Sequence, residues 1–89
     1  MLQVFFAQLS VEDKNIKSCM AGIYSKQMAY RETHSDFIAD VNDLYLDELP
    51  ECRDLKIQIL ESSREHFIVQ VESKKQCWLI DSTKTMTRM

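Results

Sequence analysis

The sequence predicts an α+β fold, a long N-terminal helix packed on a three- to four-stranded antiparallel sheet. Three observations predict it. Apolar residues recur at helical spacing through the first third of the chain. After Pro50 the period changes to two. The polar stretches between the alternating segments are about four residues long, too short for the crossover that parallel strands require.

The helix is expected over residues 1–33. Ile16, Met20, Ile23, Tyr24 and Met28, with Tyr30 near the end, follow each other at intervals of three and four and trace one face. Lys14, Lys17, Ser18, Ser25, Lys26 and Arg31 take the other side. Two starts compete. Ser10-Val11-Glu12-Asp13 has the form of a capping box, which would begin the helix at Val11. The alternative runs the helix upstream through Phe5, with Ser10 inside it. Gly22 is the single helix-weakening residue between Leu2 and Arg31, costing about 1 kcal/mol against alanine. In mid-helix it suggests close approach by another backbone.

Residues 34–54 read as the connection from helix to sheet, carrying one short helix or turn. Phe37, Val41, Leu44 and Tyr45 keep helical spacing, Ser35 or Asp36 supplies the cap, and Pro50 closes the segment. Asp36, Asp40, Asp43, Asp47, Glu48 and Glu51 give it an acidic, solvated face. Residues 55–89 form the sheet. Leu55, Ile57 and Ile59 alternate with Lys56 and Gln58; Phe67, Val69 and Val71 alternate with Ile68, Gln70 and Glu72; Cys77 to Ile80 make a third strand. Ser62 to Glu65 and Ser73 to Gln76 are the turns, and Thr83 to Met89 a short edge strand. One face of such a meander must be covered, and the amphipathic helix is the element able to cover it.

With 89 residues, 45% hydrophobic and 28% charged, residues 1–89 make one globular domain. Its size leaves stability marginal unless a staple or a neighbour adds to it. Net charge is −3, and Lys74-Lys75 is an isolated basic pair, so no nucleic-acid partner is expected. One glycine cannot build a phosphate-binding loop. His34 and His66 stand in polar context, at no ligand spacing to Cys19, Cys52 or Cys77, and neither a catalytic site, a cofactor nor a metal is expected. Asp40, Asn42, Asp43, Asp47 and Glu48 could supply oxygens to calcium, but they match no EF-hand loop and lack its central glycine. The three cysteines fit either one disulfide plus one thiol in an exported protein or three buried thiols in a cytosolic one. No stretch of the chain reaches the roughly 20 apolar residues of a membrane span. The Leu2-Gln3-Val4-Phe5-Phe6 start reads either as a helical turn packing on its own core or as the cut end of a longer hydrophobic helix.

Taken in order, several short stretches resemble type IV pilins and the related type II secretion pseudopilins. They are Phe6-Ala7-Gln8; Ala21-Gly22-Ile23-Tyr24-Ser25-Lys26-Gln27-Met28-Ala29-Tyr30; Asp36-Phe37; Val41-Asn42-Asp43-Leu44; and Cys77-Trp78-Leu79-Ile80-Asp81. The resemblance spans nearly the whole chain through individually weak motifs. It lacks the family's cleavage site and glutamate-bearing hydrophobic run, which are expected upstream of a truncated start.

The resemblance implies assembly rather than catalysis. A pilin-like chain would be a structural subunit of a pilus or related filament, serving adhesion, motility or secretion. Its partners would be copies of itself or other pilins, the pilus assembly machinery and, in the full-length form, the inner membrane. It would sit in the cell envelope, in the inner membrane before assembly and then in an extracellular or periplasmic filament. Phe5, Phe6 and Leu9 would contact neighbouring subunits, or else pack within their own chain. Export favours a disulfide. The resemblance points to Cys52–Cys77, from the connecting loop to the third strand, with Cys19–Cys52 and Cys19–Cys77 left open. The competing function is a small non-enzymatic cytosolic adaptor with free thiols.

Overall fold

In the computed structural model the backbone is described from Leu2 to Met89 and the side chains from Lys14 to Met89. Among the described residues the chain forms one helix, α1 (Leu2–Thr33), three short 3-10 turns and four strands: β1 (Lys56–Ser62), β2 (Phe67–Glu72), β3 (Cys77–Asp81) and β4 (Met86–Arg88). The helix is continuous from Leu2, so Ser10 lies inside it and the start at Val11 is not used. At 1.5 Å per residue its 32 residues span about 48 Å, close to the 50 Å long axis of the molecule.

The sheet is an antiparallel meander in the order β1-β2-β3-β4. Its inner face carries Phe67, Val69 and Val71 from β2 and Trp78 and Ile80 from β3. Against it α1 presents Ile16, Cys19, Met20 and Ile23, all buried, with Tyr24, Met28 and Tyr30 packed at the margin. The helical spacing of three and four thus meets the strand period of two in one core. Fully burying a side chain of this size stabilises by about 1.5–3 kcal/mol, so the shared face accounts for why an otherwise polar helix stays on the sheet.

A register shift between Ile59 and Glu61 places one extra residue in β1. Unshifted pairing would set Glu61 opposite Phe67, on the inner face. The bulge leaves Leu60 47% exposed and sets Ser62 opposite Phe67 instead. Ser62 then donates its hydroxyl to the Phe37 carbonyl at 3.0 Å, tying the first residues of the connecting loop to the sheet. Ser62 is therefore a strand residue rather than part of the following turn.

The connection between helix and sheet holds three separate turns where its spacing predicts one short helix or turn. Phe37 and Ile38 are buried and lie outside any helix. Val41–Leu44, Leu46–Glu48 and Pro50–Cys52 follow as separate 3-10 turns. The first is capped by the Asp40 carboxylate, which accepts from the Asn42 amide at 2.9 Å, and not by Ser35 or Asp36. Pro50 opens the third turn, where its fixed φ and missing N–H cost nothing, rather than closing the segment.

Between β3 and β4, one carboxylate oxygen of Asp81 accepts from the Thr83 amide (2.9 Å), the Thr83 hydroxyl (2.6 Å) and the Thr85 amide (3.2 Å). The Thr83 hydroxyl, helped by those amides and by nearby His66, holds the Asp81 carboxyl below the usual carboxylate range, and burial opposes this. A lowered folded pKa contributes stability that is present above the unfolded value of about 3.9 and is lost as pH falls through the folded value. The urea midpoint of the wild type is therefore expected to exceed that of Asp81→Asn at pH 6, with the gap closing below about pH 4. A gap that stays constant down to pH 2 contradicts this assignment.

Candidate functional site

The residues that distinguish this domain from a bare helix on a sheet lie where the loop crosses α1. Cys19, Gly22, Lys26 and Gln27 fall within nine residues of the helix, and each meets a different part of the loop. Cys19 is disulfide-bonded to Cys52, with a Cα separation of 4.9 Å. A Cβ on Gly22 would come within 2.8 Å of Leu49 Cδ2, so the close approach is made by a side chain and not by another backbone. Lys26 pairs with Glu48. Gln27 binds the backbone of Ile38.

The disulfide corrects the expected Cys52–Cys77 pairing, and the reason is strand parity. Trp78 and Ile80 point into the core, so Cys77, one position away, belongs to the opposite face of the sheet from α1 and Cys52. Cys77 is a free, half-buried thiol whose sulfur lies 3.7 Å from that of Met89. Cys19 is wholly buried.

Gln27 is fully buried, and its amide closes a two-way pair with one residue. The Ile38 N–H donates to Gln27 Oε1 at 2.6 Å, and Gln27 Nε2 donates to the Ile38 carbonyl at 3.1 Å. The side chain imitates a strand partner for an isolated stretch of loop. Gln27→Leu would strip both backbone groups of their partner in a buried place, at about 1–3 kcal/mol for each unsatisfied group. A loss of roughly 2–4 kcal/mol by urea denaturation is expected, and a variant as stable as wild type would show that water or a shifted loop replaces the pair.

Two surface features stand apart. Tyr45, between the first two turns, has φ 50° and is 59% exposed. Non-glycine residues rarely adopt this left-handed backbone, which costs about 1–2 kcal/mol for an L-residue. Its neighbour Leu44 is fully buried, Asp43 and Asp47 flank it exposed, and the Lys26 ammonium lies 6.0 Å from its ring centre. The second feature is an open groove of about 740 Å³ where α1, the last 3-10 turn and the β2–β3 turn meet. Pro50 and Leu55 give it apolar surface above the buried Ile16, the β2–β3 wall carries Lys74 and Lys75, and the loop wall carries Glu51, Arg53 and Asp54.

The polar groups nearest to a catalytic arrangement are Ser82, His66 and Glu61. Ser82 Oγ is 3.1 Å from His66 Nδ1, and His66 Nε2 is 3.8 Å from Glu61. The backbone amides beside this serine are committed: those of Thr83 and Thr85 to the Asp81 carboxylate, and that of Lys84 to the Asp81 carbonyl. The group therefore lacks, at those amides, the donors that stabilise a developing oxyanion. His34 is exposed and stacked on Tyr30, with ring centres 3.9 Å apart. Among the described residues no group of three His, Cys, Asp or Glu side chains could hold a metal ion, and no helix is long and apolar enough to cross a membrane.

Phe5, Phe6 and Leu9, expected to contact neighbouring subunits, belong to the N-terminal part of α1, and their side chains lie outside the described residues. The observed disulfide is one of the two pairings left open by the sequence and not the preferred one, and the Gln27 clamp was missed by sequence reasoning. For the clamp a signal was present: Gln27 stands four residues after Ile23, on the apolar face, where a polar side chain needs a buried partner. No protein-family model matches the chain, and no curated protein matches it.

Proposed function

We propose that this chain is a non-enzymatic structural subunit of a type IV pilus or related filament, pilin-like in fold, which assembles through its N-terminal helix. One observation carries the reading, the length of α1. It spans about 48 Å, whereas strands of five to seven residues span about 17–23 Å. A helix twice as long as the sheet it packs on can serve two layers at once: its own domain and a shared helical core.

The crosslink between Cys19 and Cys52 supports the same reading. It bonds the connecting loop to the helix, as a subunit handling load along its helix would need, and it belongs to an oxidising compartment such as the cell envelope. On this reading the partners are copies of the chain or other pilins, with the assembly machinery and the inner membrane engaged by the full-length protein.

Phe5→Ser with Phe6→Ser in the full-length protein tests it. Filaments are expected to vanish from electron micrographs of the cells, while the purified 89-residue chain keeps its circular dichroism spectrum and melting temperature. Normal filament numbers in the double variant would overturn the proposal.

A further inference from the structure

The exposed Tyr45 and the groove beside Lys74 are complementary in chemistry, and they lie on different parts of one molecule. The loop displays Asp43, Tyr45 and Asp47 outward, an aromatic ring between two acids. It does so on a left-handed backbone that an L-residue adopts at a cost, the cost being borne while Leu44 fills the core. Tyrosine is enriched among the residues that carry most of the binding energy at interfaces. The groove supplies the converse: apolar surface at Pro50 and Leu55, with Lys74 and Lys75 along one wall facing Glu51, Arg53 and Asp54 along the other. Among the described residues Lys74, Lys75 and Arg53 make no ion pair, nor do Asp43 and Asp47.

Within one chain the two cannot meet. Tyr45 lies over Lys26, while the groove begins at Ile16, ten residues or about 15 Å earlier along the helix. We propose that the occupant of the groove is a second copy of this chain, docked head to tail, with Tyr45 in the apolar part and Asp43 and Asp47 against Lys74 and Lys75. Donor and acceptor surfaces differ, so the contact is heterologous and each docked copy leaves one of each surface free. The contact thus propagates instead of closing. The inference rests on the filament reading and specifies a contact between globular domains within it.

The test uses the 89-residue chain with Cys77→Ser, so that no native thiol interferes. In this background Asp47→Cys and Lys75→Cys, which keep Tyr45 and Lys74 in place, are made separately, mixed, and oxidised mildly. Disulfide-linked dimers are expected in the mixture and not in either variant alone, since each needs the other's surface. Sedimentation of the wild-type chain is expected to show concentration-dependent association that weakens at least tenfold on going from 0.05 to 0.5 M salt, as charged contacts do. Tyr45→Ala, or Lys74→Glu with Lys75→Glu, should weaken it at least tenfold. Adding Asp43→Lys and Asp47→Lys to the lysine reversal should restore it.

No mixed dimer, association indifferent to these changes, or a Lys74–Lys75 surface that binds anionic phospholipid vesicles without self-association would each overturn the inference. Failure is separable from failure of the filament reading. Filaments that survive Tyr45→Ala yet vanish with Phe5→Ser and Phe6→Ser sink the groove contact alone, whereas filaments indifferent to the phenylalanines sink the function.

Discussion

Reducing the disulfide, or replacing Cys19 and Cys52 together by serine, is expected to lower the melting temperature by on the order of 15–25 °C. The two cysteines are 33 residues apart, and a crosslink closing a loop of that length removes unfolded-state entropy worth about 3–4 kcal/mol in the chain-entropy account. A domain of 89 residues has in total about 5–13 kcal/mol to lose, so the bond is a large share of its stability. At this size each kcal/mol moves the midpoint by about 4–8 °C. Burial adds to the cost, because the sulfurs of Cys19 and Cys52 lie in the core and serine hydroxyls there would lack partners. Thermal melts by circular dichroism with and without reductant measure the effect. Cys77→Ser serves as the control and should melt near wild type, since its thiol is free and half-buried. Equal losses for Cys77→Ser and for the double variant would show that another pairing stabilises the protein.

The elements with strong periodicity were readable from residues alone. Ile16, Met20 and Ile23 mark the buried stripe of α1, and the alternations around Ile57, Val69 and Ile80 mark strands whose inner residues are those with apolar side chains. The connecting loop was misread because Phe37, Val41, Leu44 and Tyr45 keep a helical interval without being a helix. Phe37 and Leu44 are buried as separate plugs in the core, joined by 3-10 turns whose caps are local and irregular. A one-dimensional interval cannot distinguish a stripe from two anchors. The preference for Cys52–Cys77 over the open alternative Cys19–Cys52 failed for a different reason. Once Trp78 and Ile80 are taken as inward-facing, alternation sends Cys77 outward, and Cys19 is left beside Met20 as the thiol on the core side.

The groove and Tyr45 had no sequence signature at all. Ile16, Pro50, Leu55 and Lys74 come from three parts of the chain, and their proximity follows from the loop's path across the helix. That path is set by Cys52, Leu49, Glu48 and Ile38, each held by a different helix residue. The surface proposed to meet a partner is therefore a by-product of the same crossing that the disulfide secures. Reduction should loosen the groove before it unfolds the sheet, as the sheet has its own ladder of hydrogen bonds and the loop does not.

Phe67→Ala is expected to destabilise the domain by about 3–5 kcal/mol, the usual cost of emptying a large aromatic site in a packed core. Phe67 opens β2 and is fully buried, and it is where helix, loop and sheet touch. Its ring meets Phe37 of the loop edge-on at 4.8 Å and Tyr24 of α1 at 6.2 Å. Aromatic pairs of this kind contribute about 0.5–1.5 kcal/mol beyond the area they bury, so the loss should sit toward the upper part of the range. Little can collapse into the void, because Phe37 is held by its carbonyl to Ser62 and by its amide to the Ser63 carbonyl at 3.2 Å. Phe67→Leu keeps most of the volume and loses the ring contacts, and should cost clearly less. Urea denaturation of the two variants separates cavity from ring contact. A Phe67→Ala variant within 1 kcal/mol of wild type would mean that the three layers are joined elsewhere, and that Cys19–Cys52 and Gln27 hold the loop without help from the aromatic cluster.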